Sequence, residues 1–187
     1  MSPRGNVRSN MVAAALRLLA KRGVEGTSFK DVLAVSEAPR GSVYHHFPGG
    51  KSELVHAALD AVSERGLAAM ERTRGQPAAQ VLEKFLDLWR QLLDRSHLQA
   101  GCAVVAVTVA APDGDLLDHA GEIFRVWGEQ LTDLFVAGGV EETEARRLST
   151  LAIAATEGAV ILARARRSWE PFDAVSSTLL ERVPTRA

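Results

Sequence analysis

Apolar residues recur at helical spacing along almost the whole chain. Val12, Ala15, Leu16 and Leu19 fall at i, i+3, i+4 and i+7 and predict an amphipathic first helix. It is expected to stop at Gly23, a residue suited to a left-handed cap. Thr27 or Ser28 then caps a short second helix with Phe29, Val32 and Leu33 on its inner side. The pattern breaks around Ser36–Pro39, since proline disfavours helical geometry at Ala38 but suits a first helical turn. A third short helix, Arg40 to His46, is closed by Pro48-Gly49-Gly50.

Longer helices follow. One starts at Lys51 with the stripe Leu54, Val55, Ala58, Leu59 and Val62, and Gly75-Gln76-Pro77 marks the next break. Leu82, Phe85, Leu86, Trp89, Leu92 and Leu93 line the helix after it. The run from Cys102 to Ala111 suits a buried strand or a buried helix. A lone strand has no partner in a helical chain, which favours the helix. Beyond Pro112-Asp113-Gly114, the residues Leu116, Leu117, Ala120, Ile123, Phe124, Trp127, Leu131 and Phe135 keep helical spacing. Residues 144–167 read as a helix that is apolar nearly all round from Leu151 to Ala163, buried in a core or in a subunit interface. Pro171 opens a last helix bearing Phe172, Val175 and Leu179. The expectation is an all-α protein of about nine helices: a three-helix head over residues 1–50 and a larger helical body over 51–187.

Charge separates head from body. The formal net charge of −1 hides eight Lys/Arg against Glu25, Asp31 and Glu37 in the first 51 residues. A basic head on an acidic body points to a polyanionic partner for the head. The sequence has no uninterrupted apolar run of the roughly 18 residues that mark a membrane-spanning helix, and its start lacks a secretory signal pattern. A single cysteine, Cys102, excludes an internal disulfide and a CxxC metal site. These features lead to the expectation of a cytoplasmic protein.

Two short helices joined by a tight turn, with a third before them, make the helix-turn-helix arrangement, in which the last helix enters the major groove. Arg40, Ser42, Tyr44 and His45 offer polar tips of different lengths from that helix. Arginine reads guanine through two hydrogen bonds, a contact giving about 1–3 kcal/mol of discrimination. Pro39 suits a thymine methyl, and Thr27, Ser28, Tyr44 and Lys51 supply phosphate donors that set register. Double-stranded operator DNA is the expected partner.

The segment Arg40-Gly41-Ser42-Val43-Tyr44-His45-His46-Phe47, followed by Lys51 and Leu54, resembles the recognition-helix signature of the tetracycline repressor (TetR) family. Ala38-Pro39 before Arg40 and Gly49-Gly50 before Lys51 look closest to its LmrA/YxaF branch. The resemblance is specific over residues 9–59. It implies a homodimer joined through the last two long helices, a ligand pocket in the body, and operator release when a small hydrophobic effector binds. It also implies phosphate contacts from Tyr44 and Lys51 and groove-facing positions for Pro39, Arg40, Ser42 and His45. Glu37 departs from the pattern, standing at the turn position where the family commonly has glycine. A left-handed conformation there costs a glutamate about 1 kcal/mol.

Other candidate chemistry is weaker. His45 and His46 are adjacent, so on a helix they point about 100° apart and do not share one metal ion. Asp113, Asp115, Asp118, His119 and Glu122 lack the spacing of a calcium loop and fit a helix start. Arg164, Arg166 and Arg167 fit a helix end in the same way. No motif for catalysis, phosphate cradling or a cofactor is present, so the chain does not read as an enzyme. Phe85, Trp89, Cys102, Phe124 and Trp127 are the candidate lining of an effector pocket, with His97, Thr108 and Gln130 as orienting polar groups. The bland reading of these aromatic residues is plain core. It goes with the alternative function, a constitutive DNA-binding protein without small-molecule input.

Overall fold

The computed structural model describes residues 3–110 and 114–183. Ala111, Pro112 and Asp113, used above as the end of one run and the start of an acidic cluster, lie outside the described residues. Among the described residues run nine helices and no strand. They are α1 (Pro3–Arg22), α2 (Phe29–Ser36), α3 (Ser42–His46), α4 (Gly50–Glu71), α5 (Ala78–Arg95), α6 (Ala103–Ala110), α7 (Gly114–Ala137), α8 (Glu142–Arg166) and α9 (Glu170–Arg182). The ambiguous valine-rich run is therefore helical. Its Val104 and Val107 are fully buried and α6 packs on α1, so tertiary burial overrides the strand preference of valine.

The helices gather into two compact units that do not follow a single cut in the chain. One comprises Met1–Glu64 with Cys102–Ile123, the other Arg65–Gly101 with Phe124–Ala187. The start of α4, all of α6 and the start of α7 thus cluster with the head.

In the first unit α1 packs against both α2 and α6. Met11, Leu19, Val32, Val43, Phe47, Leu54 and Leu59 are its large buried side chains. α1 ends where expected, Gly23 donating its N–H to the Leu19 carbonyl at 2.9 Å with φ +70°. Gly26 is required for a different reason, since a Cβ there would lie 2.5 Å from the Cβ of Arg22. α3 starts at Ser42, not at Arg40. Pro39 accepts the Ser42 N–H at 2.9 Å, which makes residues 39–42 a turn that delivers the chain into the helix. Across this unit His56 and Asp60 of α4 meet Asp115 and His119 of α7.

The second unit is built on α5, α8 and α9 with the C-terminal part of α7. Val81, Leu82, Phe85 and Leu86 of α5 join Leu134, Phe135, Leu148, Ala152 and Leu179 in one apolar cluster. Leu93, Ala159, Val160, Ala163 and Phe172 form another. Arg90 lies over the Trp169 and Phe172 rings, 5.1 and 5.4 Å from their centroids, and pairs with Asp173. One guanidinium therefore ties α5 to α9 through both charge and stacking. α8 is long and apolar enough by length and composition to cross a membrane, yet one side of it is core. Its other side leaves Leu151, Ile161 and Leu162 exposed at 40, 52 and 52%.

Candidate nucleic-acid interface

The head sorts its side chains by burial. Val43 and Phe47 turn inward at 2% and 0% exposure, while Tyr44 of the same short helix stands 80% exposed. Pro39, Arg40 and His45 are exposed, and Ser42 and Lys51 are half-buried. Alternation of this kind follows from helical geometry: positions 43 and 47 are one turn apart and share the inner face. Among the described residues no hydrogen bond or ion pair engages the side chains of Arg40, Tyr44 or Lys51. Their donors stand ready for an outside acceptor. Arg8 of α1 lies 5.1 Å over the Phe47 ring, bracing the inner end of α3.

At the start of α2, Ser28 is the N-cap and accepts the Asp31 N–H at 3.2 Å. Its hydroxyl also donates to the Asp31 carboxylate, a bond that holds this carboxyl below the usual carboxylate range. Thr27 differs. It is 1% exposed and its hydroxyl donates to the Gly23 carbonyl at 2.8 Å, while its N–H donates to Val24. With both donors turned into the head, Thr27 holds the turn after α1, and Ser28 carries the exposed hydroxyl. Ser42 is likewise engaged, its hydroxyl donating to the Pro39 carbonyl. The Gly49 N–H donates to Glu53 Oε2 at 2.8 Å and fixes the entry into α4, next to Lys51. His45 and His46 meet edge-on, with centroids 5.0 Å apart at 64°.

At the turn, Glu37 is the C-cap of α2 and holds a left-handed conformation, φ 55° and ψ 26°. The backbone keeps the geometry that glycine would adopt without steric cost. Its side chain is exposed.

The pocket candidates separate into groups. Phe85 is buried in the apolar cluster of the second unit and meets Trp89 edge-on, centroids 6.4 Å apart at 71°. Phe124 and Trp127 form another such pair at 5.7 Å and 88°. Cys102 is buried and belongs to the first unit. Phe124 lines an open groove of about 860 Å³ between α7 and α8, together with Gly128, Thr132 and Ser149. Of the polar candidates, Gln130 donates to the Leu67 carbonyl at 3.0 Å and to Glu71 Oε2 at 3.1 Å, tying α7 to the end of α4. Thr108 is exposed and donates to Val104, and His97 is exposed in a left-handed turn. Among the described residues, no group of three or more His, Cys, Asp or Glu side chains is arranged to hold a metal ion. Arg166 pairs with Glu170 at 2.7 Å.

Sequence reasoning missed the His56–Asp115 and His119–Asp60 pairs of the first unit. Their spacing, His-x-x-x-Asp on α4 and Asp-x-x-x-His on α7, is visible in the sequence, but the meeting of the two helices is not.

A basic three-helix head with an exposed polar row on its last helix, joined to a helical body, is the architecture of a DNA-binding transcriptional regulator. Residues 11–58 match the family described as bacterial regulatory proteins, tetR family. Residues 78–178 match the LmrA/YxaF-like C-terminal domain of transcriptional regulators. The chain is 35% identical over 191 residues to the HTH-type transcriptional regulator Rv0196 of Mycobacterium tuberculosis, covering 96% of this chain and 97% of that one. It is 25% identical to the regulator LmrA of Bacillus subtilis, over 94% and 95% of the two chains. Among solved structures, a TetR transcriptional regulator from Chloroflexus aurantiacus superposes with a TM-score of 0.78 at 26% identity, covering 97% and 96%. The chain belongs to the TetR family of transcriptional regulators, in the LmrA/YxaF-like branch, and its relatives are regulators, not enzymes.

Proposed function

We propose that the chain is a cytoplasmic homodimeric repressor that grips a palindromic operator with two heads and releases it when a small hydrophobic effector binds the helical body. The observation that carries the DNA contact is the outward row of Pro39, Arg40, Tyr44 and His45 over buried Val43 and Phe47, with Lys51 beside it. In this reading Arg40 and Pro39 face base edges with Ser42 and His45, while Ser28, Tyr44 and Lys51 hold phosphates. The head ends at Gly50, and α4 is the lever that carries a change in the body to it.

The dimer reading rests on α8 and α9. Leu151, Ile161 and Leu162 form an exposed apolar stripe, with Ala154 and Gly158 between them on the same side. Small residues allow close approach of a second helix, and a self-complementary patch of this kind suits a two-fold interface. Two heads related by such an axis read half-sites about one helical turn apart, roughly 34–36 Å. Effector binding then weakens operator binding by the factor by which operator weakens effector binding.

The effector reading rests on the aromatic pairs Phe85–Trp89 and Phe124–Trp127 of the second unit. One observation favours a constitutive binder instead: Phe85 sits inside a continuous apolar cluster. Selection of bound duplexes from a random pool, footprinted at two salt concentrations, tests the proposal. A palindrome with half-sites one turn apart supports it, and salt-sensitive, sequence-blind binding rejects it. Screening apolar compounds for release of the selected duplex separates the regulated from the constitutive reading.

A further inference from the structure

The turn between α2 and α3 holds a residue that is unfavourable twice over. Glu37 keeps a left-handed backbone at φ 55° with a full side chain, where glycine would be unstrained. It also presents a carboxylate on a head whose other exposed groups are basic or neutral at the turn, namely Pro39, Arg40, Tyr44 and His45. Among the described residues no hydrogen bond or ion pair engages the Glu37 side chain, and its exposure leaves it no packing role. It stands three positions before Arg40, with Ala38 and Pro39 between them, so the chain places it within about 11 Å of that residue. A charge there stands within roughly a Debye length of any duplex the α3 row touches.

We infer that Glu37 is a specificity-determining residue of the head, and that its ligand is the exocyclic amino group of a cytosine in the operator half-site. The inference rests on the DNA-binding reading above. A carboxylate accepts a hydrogen bond from the cytosine N4 amino group in the major groove, and this amino group is one of the few donors a duplex offers. Against every other sequence the same carboxylate meets phosphate charge without relief. It thereby lowers binding to non-operator DNA and is compensated only where the cytosine stands in register. Discrimination by a penalty relieved at one partner is a general route to specificity.

The test compares the native chain with Glu37→Gln and Glu37→Gly in selection from a random duplex pool, followed by affinity measurements on the selected operator and on a scrambled duplex. Glu37→Gln keeps the side-chain length and the backbone strain and removes only the charge. Glu37→Gly removes both, and both variants keep the fold because the residue is exposed and glycine suits its dihedrals. The expected result is a cytosine preference at one position of each half-site that both variants lose. For Glu37→Gln the operator-to-scrambled ratio falls roughly fivefold or more per half-site, the lower end of what one base contact discriminates. Glutamine is expected to shift the preference at that position toward adenine. An unchanged base preference at every position overturns the inference, including the case in which both variants simply bind all DNA more tightly. If the native chain selects no site at all, the DNA-binding reading falls first and this inference with it.

Discussion

His56 of α4 and His119 of α7 stack face to face in the first unit, with ring centroids 4.6 Å apart and planes within 3° of parallel. Each ring faces a carboxylate of the opposite helix, His56 Nε2 lying 3.2 Å from Asp115 Oδ2 and His119 Nε2 2.9 Å from Asp60 Oδ1. The pattern reads His-then-Asp on α4 and Asp-then-His on α7, so the two helices clasp each other through a crossed pair of contacts. Both Nε2 atoms are shielded from water, yet neither makes a hydrogen bond of proper geometry. Asp115 is 80% exposed, so water screens its pairing with His56, and the ring stack carries more of the contact.

A double-mutant cycle on His56→Ala and His119→Ala is therefore expected to show a coupling of roughly 0.5–1.5 kcal/mol in urea unfolding. The cycle on His56→Ala and Asp115→Ala is expected to show less, below about 0.5 kcal/mol. The reverse order would mean that charge, not stacking, joins the helices.

Ser28→Ala removes the N-cap of α2 and is expected to lower stability by about 1 kcal/mol at neutral pH. The same change alters the acid limb. The Asp31 carboxyl is held low first by the Ser28 hydroxyl, so its contribution is present above the ordinary aspartate value of 3.8 and is lost as pH falls through the lower folded value. Unfolding curves recorded from neutral pH downward are expected to show a shallower acid loss for Ser28→Ala than for the native chain below about pH 4. Equal acid limbs would detach Asp31 from the cap.

Lys51→Ala and Tyr44→Phe test the phosphate contacts. Tyr44→Phe removes one hydroxyl from an 80% exposed ring and is expected to weaken all DNA binding severalfold with the fold intact. Lys51→Ala is expected to reduce the slope of log affinity against log salt by about 1 per head. Fluorescence anisotropy across a salt series measures both, and unchanged slope and affinity in both variants would remove these residues from the interface.

Ile161→Asp places a charge on the exposed side of α8, where Ile161 is 52% exposed. The chain is expected to stay folded but to sediment as a monomer. Operator affinity is expected to fall by roughly 100-fold or more, because two linked heads bind with an effective concentration that one head lacks. A variant that remains dimeric would move the interface away from this stripe.

The helical character of the chain was legible in the sequence because amphipathic period is a local property. The α5 stripe shows this: Leu82, Phe85, Leu86 and Leu93 were expected inside and are buried. The head was legible for the same reason, with Val32, Val43 and Phe47 buried as their spacing requires. Gly23 could be placed as a cap because only its own backbone conformation was at issue.

Tertiary structure decided what depends on residues far apart in the chain. Thr27 reads as a surface hydroxyl in sequence, and only the return of the chain after α1 turns it inward onto Gly23. The valines of α6 are equally content in a strand, and packing on α1 made them a helix. The five pocket candidates looked like one set, whereas burial separates Phe85 in the core from Phe124 at an open groove. His56 and His119 are 63 residues apart, and nothing in local sequence tells one helix where another will pass. Period and turn chemistry are fixed by neighbours within about four residues, while contact across the fold is fixed by how whole helices bury their apolar faces. The sequence by itself therefore determined the helices and the recognition motif, and the tertiary structure alone determined which side chains remain free to meet a partner.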